Sequence, residues 1–501
     1  MKKFFYYFFI TLLYAAKGHA QSIGINDDGS TPNTNAILDV KSFTKGLLIP
    51  RMSSANRLAI PVTKGMLVYD TTTNSVWYNN GTAWQNMGAT GGTGAGWSLN
   101  GNSGIGNTAY LGTNDFVPLR IRVNGQPSGI IDPVKANSFW GYRTGALISQ
   151  TLGHNNTAMG HFALQTTTTG HNNTASGAFA LAYNSTGIHN TAMGSNAAYN
   201  NTEGSDNTAL GHASMQYNTT GSFNTAVGQG TLFRNTVALY NTAVGSYTLH
   251  NNTTGQYNAA VGAFALGSNI GGEHNTVVGY SALDQSTTGE FNTVVGSLAG
   301  RTNVTGQGNT IIGASADMFS DNLFNATAIG HWASVETSNK VRIGNGAVTV
   351  IEGQVPFTTP SDARFKYGIQ EDVKGLDFLL KLRPVTYHFN VSDFDEQLRG
   401  GKKDKAAGAN SFMDAAYTEA ASIRRSGFIA QEVERAANSS GYNFSGIIKP
   451  KTGKDHYGLS YESFVVPIVK GIQELNAKLT ALEKENAQLK NDLKQLQQRI
   501  K

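Results

Sequence analysis

The chain reads as a mainly β protein: a parallel β-solenoid of 17-residue coils, then a small α/β module, then a coiled coil. Three observations predict this. The phrase Asn-Thr-Ala-Met-Gly at Asn156 returns at Asn173, Asn190, Asn207, Asn224, Asn241, Asn258, Asn275, Asn292 and Asn309 with no inserted residue, and so strict a period marks stacked coils. The period stops near Gly344, where charged residues and mixed helix and strand patterns take over. The final stretch sets Ile468, Ile472, Leu475, Leu479, Leu482, Asn486, Leu489, Leu493, Leu496 and Ile500 at alternating steps of four and three, which is a coiled-coil seam.

Composition agrees. At 501 residues the chain is too long for one domain. With 58 glycines and only 14% charged residues it suits a solenoid of tight turns. Disorder has similar composition but no reason to keep apolar positions in register. The net charge of +5 lies outside the rod, whose span 151–330 carries only Arg234 and Arg301 against seven acidic residues. Nucleic acid is therefore not an expected partner. The absence of cysteine excludes disulfides, thiolate metal sites, thiol catalysis and a lipidated N-terminal cysteine. No cofactor or metal is expected, since a calcium-binding repeat needs aspartates at a fixed offset.

Residues 1–20 read as an export signal: Lys2 and Lys3, the apolar run Phe4 to Ala16, then Gly18-His19-Ala20 before a cut at Gln21. This predicts an extracellular or cell-surface location. No later run is long enough to span a membrane. Residues 21–87 alternate short β-like runs with turn signals: Ala36–Val40, Gly46–Met52, Gly65–Asp70 and Val76–Gly81. This stretch resembles the N-terminal part of secreted bacterial fibre proteins, a likeness that implies no chemistry. Trp77, Tyr78 and Trp84 offer faces for a sugar, but packing within a small β domain accounts for them more simply. Residues 88–96 form a Gly/Thr-rich linker. Residues 97–152, with the looser phrase Asn107-Thr108-Ala109-Tyr110-Leu111-Gly112, are expected to lead into or cap the rod.

The rod itself covers 153–345. A second glycine recurs at Gly170, Gly187, Gly204, Gly221, Gly255, Gly272, Gly289 and Gly306, with Ala238 the exception. Two glycines per coil predict two corners needing positive φ, each preceded by a short strand. The fourth repeat position is bulky (Met159, Met193, Leu210, Val227, Ile312), and the third is small or β-branched (Ala158, Ala226, Val277). In a strand these point to opposite faces. Both faces are apolar while one coil has one interior, so the second face is expected to meet another chain. Stacked at about 4.8 Å, eleven coils give a rod roughly 50 Å long. The aligned asparagines predict internal hydrogen-bonded ladders. An ice-binding threonine face is rejected because Thr157 and its equivalents share a side with the bulky position and are expected to be buried. The arrangement resembles the head repeats of YadA-type trimeric adhesins, which implies a trimeric parallel β-roll.

After a connector at 346–360, Ser361-Asp362-Ala363-Arg364-Phe365-Lys366 opens the α/β module, 361–464. Leu376–Leu382 looks helical, Pro384–Phe389 like a strand, and Gly427–Val433 like a strand entering a helix. Gly400 to Ser422 reads as a polar, mobile loop. The series SD-x-R-x-K, RPVTYHF, GFIAQEV and YESFVVPIVKGIQEL resembles the intramolecular chaperone domain of phage endosialidases and tail spikes, also found in myelin regulatory factor. That resemblance implies a domain that holds three chains together while the fibre folds and then cuts itself off. It implies Ser361 as nucleophile, Lys366 as general base and Pro360–Ser361 as the scissile bond. A lysine acts as a base only when burial lowers its pKa. Asp362 is expected to organise the turn, and Arg364 to pair with a carboxylate.

The coiled coil, 465–501, places Asn486 at an a position among leucines at d, a pattern that leans towards two strands, whereas the resemblance implies three. The leading expectation is an exported homotrimeric fibre, tail-fibre-like or adhesin-like, that cleaves itself once and meets a host-cell or glycan ligand. The alternatives are a glycan-degrading spike, which needs paired carboxylates in a groove, and a structural fibre that binds nothing.

Overall fold

A computed structural model of the chain describes residues 22–87, 110–147, 153–398, 411–451 and 455–500. The expected export signal, the 88–96 linker and Asn107–Ala109 lie outside these residues. The chain divides into two compact units, residues 1–112 and 113–501.

In the first unit β1 (Ile23–Asn26) pairs in parallel with β2 (Leu38–Lys41). A second sheet joins β3 (Arg51–Met52), β4 (Leu67–Asp70), β5 (Ser75–Asn79) and β6 (Trp84–Asn86), with helix α1 (Ser54–Ala59) between β3 and β4. The expected strand at Gly46–Met52 shrinks to its last two residues. The sheet is organised by an ion pair that hydropathy does not flag. Arg57 is buried, its Nε donates to Asp70 Oδ2 at 2.8 Å, and its guanidinium lies 3.7 Å from the centre of the Trp77 ring. Asp70 also accepts from Ser54 Oγ and from the backbone N–H groups of Thr72 and Thr73. Trp77 is thus occupied as a structural ring.

The second unit opens with an antiparallel meander, β7 (Leu119–Val123), β8 (Gln126–Asp132) and β9 (Asn137–Trp140), and β9 pairs in parallel with the first coil. Ten three-residue strands follow, from β10 (Thr157–Met159) to β19 (Thr310–Ile312), each paired in parallel and in register with the next. β20 (Asp317–Met318) and β22 (Ser334–Val335) pair on the other leg, while β21 (Thr327–Ile329) and β23 (Val341–Ile343) complete a fifteen-stranded sheet.

The alternation of the strand sets its two faces. Ala158, Ala226, Val277 and Ile311 point inward and are buried. The fourth position points outward, with Met159 58% exposed and Val227 and Val244 half-buried, and apart from Ser176 it forms an apolar stripe along the rod. The threonines share that outer side, as expected. They are not buried, however: Thr157, Thr174, Thr208 and Thr242 are exposed in the single chain because their face is the one left without a partner.

Two expectations about the corners need correction. The coils that start at β10 to β18 have one strand each, and only the last two coils add a second, β20 and β22. On the second leg Leu164 N–H donates to Ala180 O at 3.1 Å and Thr166 N–H to Ala182 O at 3.0 Å. The left-handed φ of Phe162 (59°) and Leu164 (47°) interrupts any strand there, although the coil-to-coil bonds persist. The two glycines also serve different purposes. Gly160 and its equivalents have φ of 121–144°, which side chains rarely adopt. Gly187 and its equivalents have ordinary φ. A Cβ on Gly187 would lie 2.3 Å from Gly204 O and 2.4 Å from Asn184 Oδ1, so close approach of the next coil excludes it.

The expected asparagine ladder is present and buried. Asn241 illustrates it: its Oδ1 accepts the N–H of Asn258 at 3.0 Å, and its Nδ2 donates to Gly255 O at 2.9 Å. In the eleventh copy Ala326 stands in the asparagine's place, donating its N–H to Asn309 Oδ1 and accepting the Thr310 N–H, with no side-chain rung of its own. A second ladder, unread in the sequence, joins Asn184, Asn201, Asn218, Asn235, Asn252 and Asn269 amide to amide at 2.6–3.0 Å. Both ladders satisfy turn backbone that would otherwise be buried unpaired.

The C-terminal module packs around Phe378, Val433, Ala436, Ala437, Phe444 and Phe464. Its elements are α2 (Leu376–Leu379), β24 (Val385–His388), α3 (Val391–Leu398), α4 (Ser411–Ser422), β25 (Arg424–Gly427), α5 (Ala430–Ser439), β26 (Ile447–Ile448), β27 (Gly458–Leu459) and α6 (Val465–Ile500). Helix α4 corrects the expected loop: within 400–422, the described part is helical, with Met413, Ala416 and Ala420 recurring at helical spacing. Glu474 on α6 accepts the N–H of Leu376 at 2.7 Å and anchors α2 to the long helix. The seam leucines of α6 are uncovered, Leu475 being 58% exposed.

Candidate functional site

The candidate site is one tight turn. Asp362 caps a 3-10 turn over Ala363–Phe365, accepting the N–H of Arg364 at 2.9 Å. Arg364 folds back onto the same carboxylate through Nε at 2.9 Å and Nη2 at 2.6 Å. That guanidinium holds the Asp362 carboxyl below the usual carboxylate range, with the backbone N–H adding to it. Asp362 is therefore engaged in forming the turn, and the carboxylate partner of Arg364 is its neighbour two residues back. Closure of the turn by Lys366 N–H on Ala363 O at 3.1 Å returns the Lys366 side chain over Ser361, where Nζ donates to Oγ at 2.6 Å.

This pair is open to solvent. Every residue from 348 to 372 is exposed in the single chain, including Val355, Phe357, Phe365, Ile369 and Tyr367, the last at 96%. Large apolar side chains on both sides of Pro360–Ser361 thus have no cover within one chain. A lysine takes a hydroxyl's proton only in its neutral form, and burial is what favours that form. The geometry brings a hydroxyl and an amine together in a segment that has no cover within one chain.

Two segments match known families. Residues 24–102 match the model described as phage tail like trimerisation region, and residues 361–442 match the model described as chaperone of endosialidase. No curated protein and no solved structure matches the chain. Together with the solenoid between them, the two segments support a tail-fibre-like trimeric protein, and the second supports autoproteolytic chaperone activity. The N-terminal match falls on the stretch that resembles fibre proteins and adds a trimerisation role there, beyond the rod and the C-terminal module to which trimer formation was expected to belong. No helix among the described residues is long and apolar enough to cross a membrane.

Proposed function

We propose that the protein is an exported homotrimeric fibre whose C-terminal module aligns three chains and then cuts each before Ser361. The observation that carries this is the 2.6 Å contact between Lys366 Nζ and Ser361 Oγ, set in a segment whose apolar residues are uncovered in one chain. Assembly supplies the missing condition. When neighbouring copies cover Phe357, Phe365 and Tyr367, Lys366 loses water, its neutral form gains weight, and it can take the Ser361 proton. The Oγ then attacks the Pro360 carbonyl carbon. The Pro360–Ser361 C–N bond breaks as the proton passes to the Ser361 nitrogen, and water hydrolyses the resulting ester to a Pro360 carboxylate. Cleavage would then report that three chains have assembled.

The test is a denaturing gel of the full chain beside Ser361→Ala and Lys366→Ala. Wild type is expected to release residues 361–501, which are 141 of the 501 residues and hence about 15 kDa of the 53.3 kDa chain. Both variants are expected to stay whole. A wild-type trimer that remains full length would overturn the cleavage reading. The fibre's outer surface is proposed to meet a host-cell or glycan ligand. Binding of fragment 21–360 to a glycan array separates this from a purely structural fibre, and turnover of a polysaccharide would point instead to a glycan-degrading spike.

A further inference from the structure

The last coil of the rod and the C-terminal module meet on a buried polar surface that plays no part in cleavage. Ser334 Oγ donates to Leu398 O at 2.9 Å, and Asp395, buried on α3, accepts the N–H of Gly346 at 2.8 Å while Tyr417 holds its other oxygen. Glu336, with its side chain wholly enclosed, lies 2.8 Å from Lys340 Nζ and 3.4 Å from His456 Nδ1. Lys340 also reaches Asp455 Oδ1 at 3.4 Å. Arg342 faces Glu336 at 3.8 Å and lies 5.4 Å from the centre of the Phe394 ring, which in turn sits edge-on to His456.

Five of these contacts, Ser334–Leu398, Gly346–Asp395, Glu336–His456, Lys340–Asp455 and Arg342–Phe394, join a residue before 347 to one after 390 and so span the Pro360–Ser361 bond. The peptide between them, 348–372, is exposed throughout. Cutting it removes a tether and no packing. The end of a solenoid also needs a cover, because the terminal coil would otherwise present its interior and its unpaired edge to water. Val335 and Ala333 in that coil are fully buried here. Glu336, Asp455 and His456 converge closely enough to hold a metal ion, but the Lys340 ammonium already stands beside both carboxylates, so the cluster reads as an ionic clasp.

We propose that after cleavage the C-terminal fragment remains seated on the last coil as a non-covalent cap, its partner being the fibre portion of its own chain. This rests on the reading that the chain is cut before Ser361, and the experiment separates the two. Full-length protein is cleaved to completion, diluted to nanomolar concentration, and run on a native size-exclusion column with mass detection. Both fragments are expected in one species, and elution of residues 361–501 alone would overturn the cap. The same run on Lys340→Glu, which sets a carboxylate against Glu336 and Asp455, is expected to free the fragment at concentrations at least about tenfold higher than wild type, as breaking a buried ion pair requires. Lys340→Arg is expected to retain it. Equal retention by Lys340→Glu would refute the clasp, and circular dichroism of the rod confirms that this variant is folded. If wild type does not self-cleave, a site-specific protease sequence placed at 353–359 in Ser361→Ala cuts the exposed connector. Co-elution or separation then decides the cap without the Ser361 chemistry.

Discussion

Replacing Asn241 by alanine should open one rung of the rod by an amount that follows from its hydrogen bonds. Asn241 Oδ1 accepts from Asn258 N–H at 3.0 Å and from Asn258 Nδ2 at 3.2 Å, and its Nδ2 donates to Gly255 O at 2.9 Å and to Asn224 Oδ1 at 3.2 Å. Three of the four partner groups keep other partners: Gly255 O still accepts from Asn252 Nδ2, Asn258 Nδ2 still donates to Gly272 O, and Asn224 Oδ1 still accepts the residue 241 N–H. Asn258 N–H keeps none, and a buried donor left unpaired costs about 1–3 kcal/mol. Adding the modest net value of the other lost bonds gives about 3 kcal/mol, or roughly a 150-fold change in an opening equilibrium. Hydrogen exchange reads this directly. The Asn258 amide in Asn241→Ala is expected to lose protection by about that factor, while Thr254→Ala, at an exposed corner of the preceding coil, leaves it unchanged. Unaltered protection of Asn258 in the alanine variant would refute the claim that the ladder stabilises the stack.

Three further outcomes follow from the same structure. The second ladder stops at Ser286, where Asn269 Oδ1 is buried without a hydrogen-bond partner; Ser286→Asn restores a donor above it and should stabilise the rod by about 1 kcal/mol in thermal unfolding. Leu482→Glu places a charge in the uncovered seam of α6 and should lower the oligomeric mass measured by light scattering, whereas a seam that is only solvent-facing would tolerate it. In the N-terminal unit, desolvation raises the Asp70 pKa, but Arg57, Ser54 and the N–H groups of Thr72 and Thr73 together hold it well below its ordinary value. A depressed carboxyl stabilises the fold above the unfolded pKa, and that stability is lost as pH falls towards the folded pKa. Wild type should therefore lose stability in an acid titration only below about pH 4, and Asp70→Asn should be less stable at neutral pH with that acid-dependent loss removed.

The rod was legible because its period is local. Every coil repeats the same residues at the same offsets, so the inward Ala158 and outward Met159 could be assigned from strand alternation alone. The corners were less legible. The need for glycine at Gly187 comes from the carbonyl of Gly204, an atom of the next coil, and no local propensity encodes it. Phe162 and Leu164 adopt left-handed φ against their intrinsic preference because stacking imposes one path on every coil. The turn around Ser361 was readable from its motif, with Asp362 as the cap. Arg57 was hidden for the opposite reason: a buried arginine depends on Asp70 and Trp77, thirteen and twenty residues away, and hydropathy gives it no weight.

The sequence by itself determined the 17-residue coil, its two apolar faces, the asparagine ladder, the heptad seam and the spacing of Ser361 and Lys366, since each is written in residues close along the chain. Only the tertiary structure decided that one strand serves each coil but the last two, that the second glycine answers a steric demand from the next coil, and that Glu336 and Lys340 meet Asp455 and His456 across more than a hundred residues. Those features depend on which atoms approach after the chain has closed on itself, and the period carries no record of that.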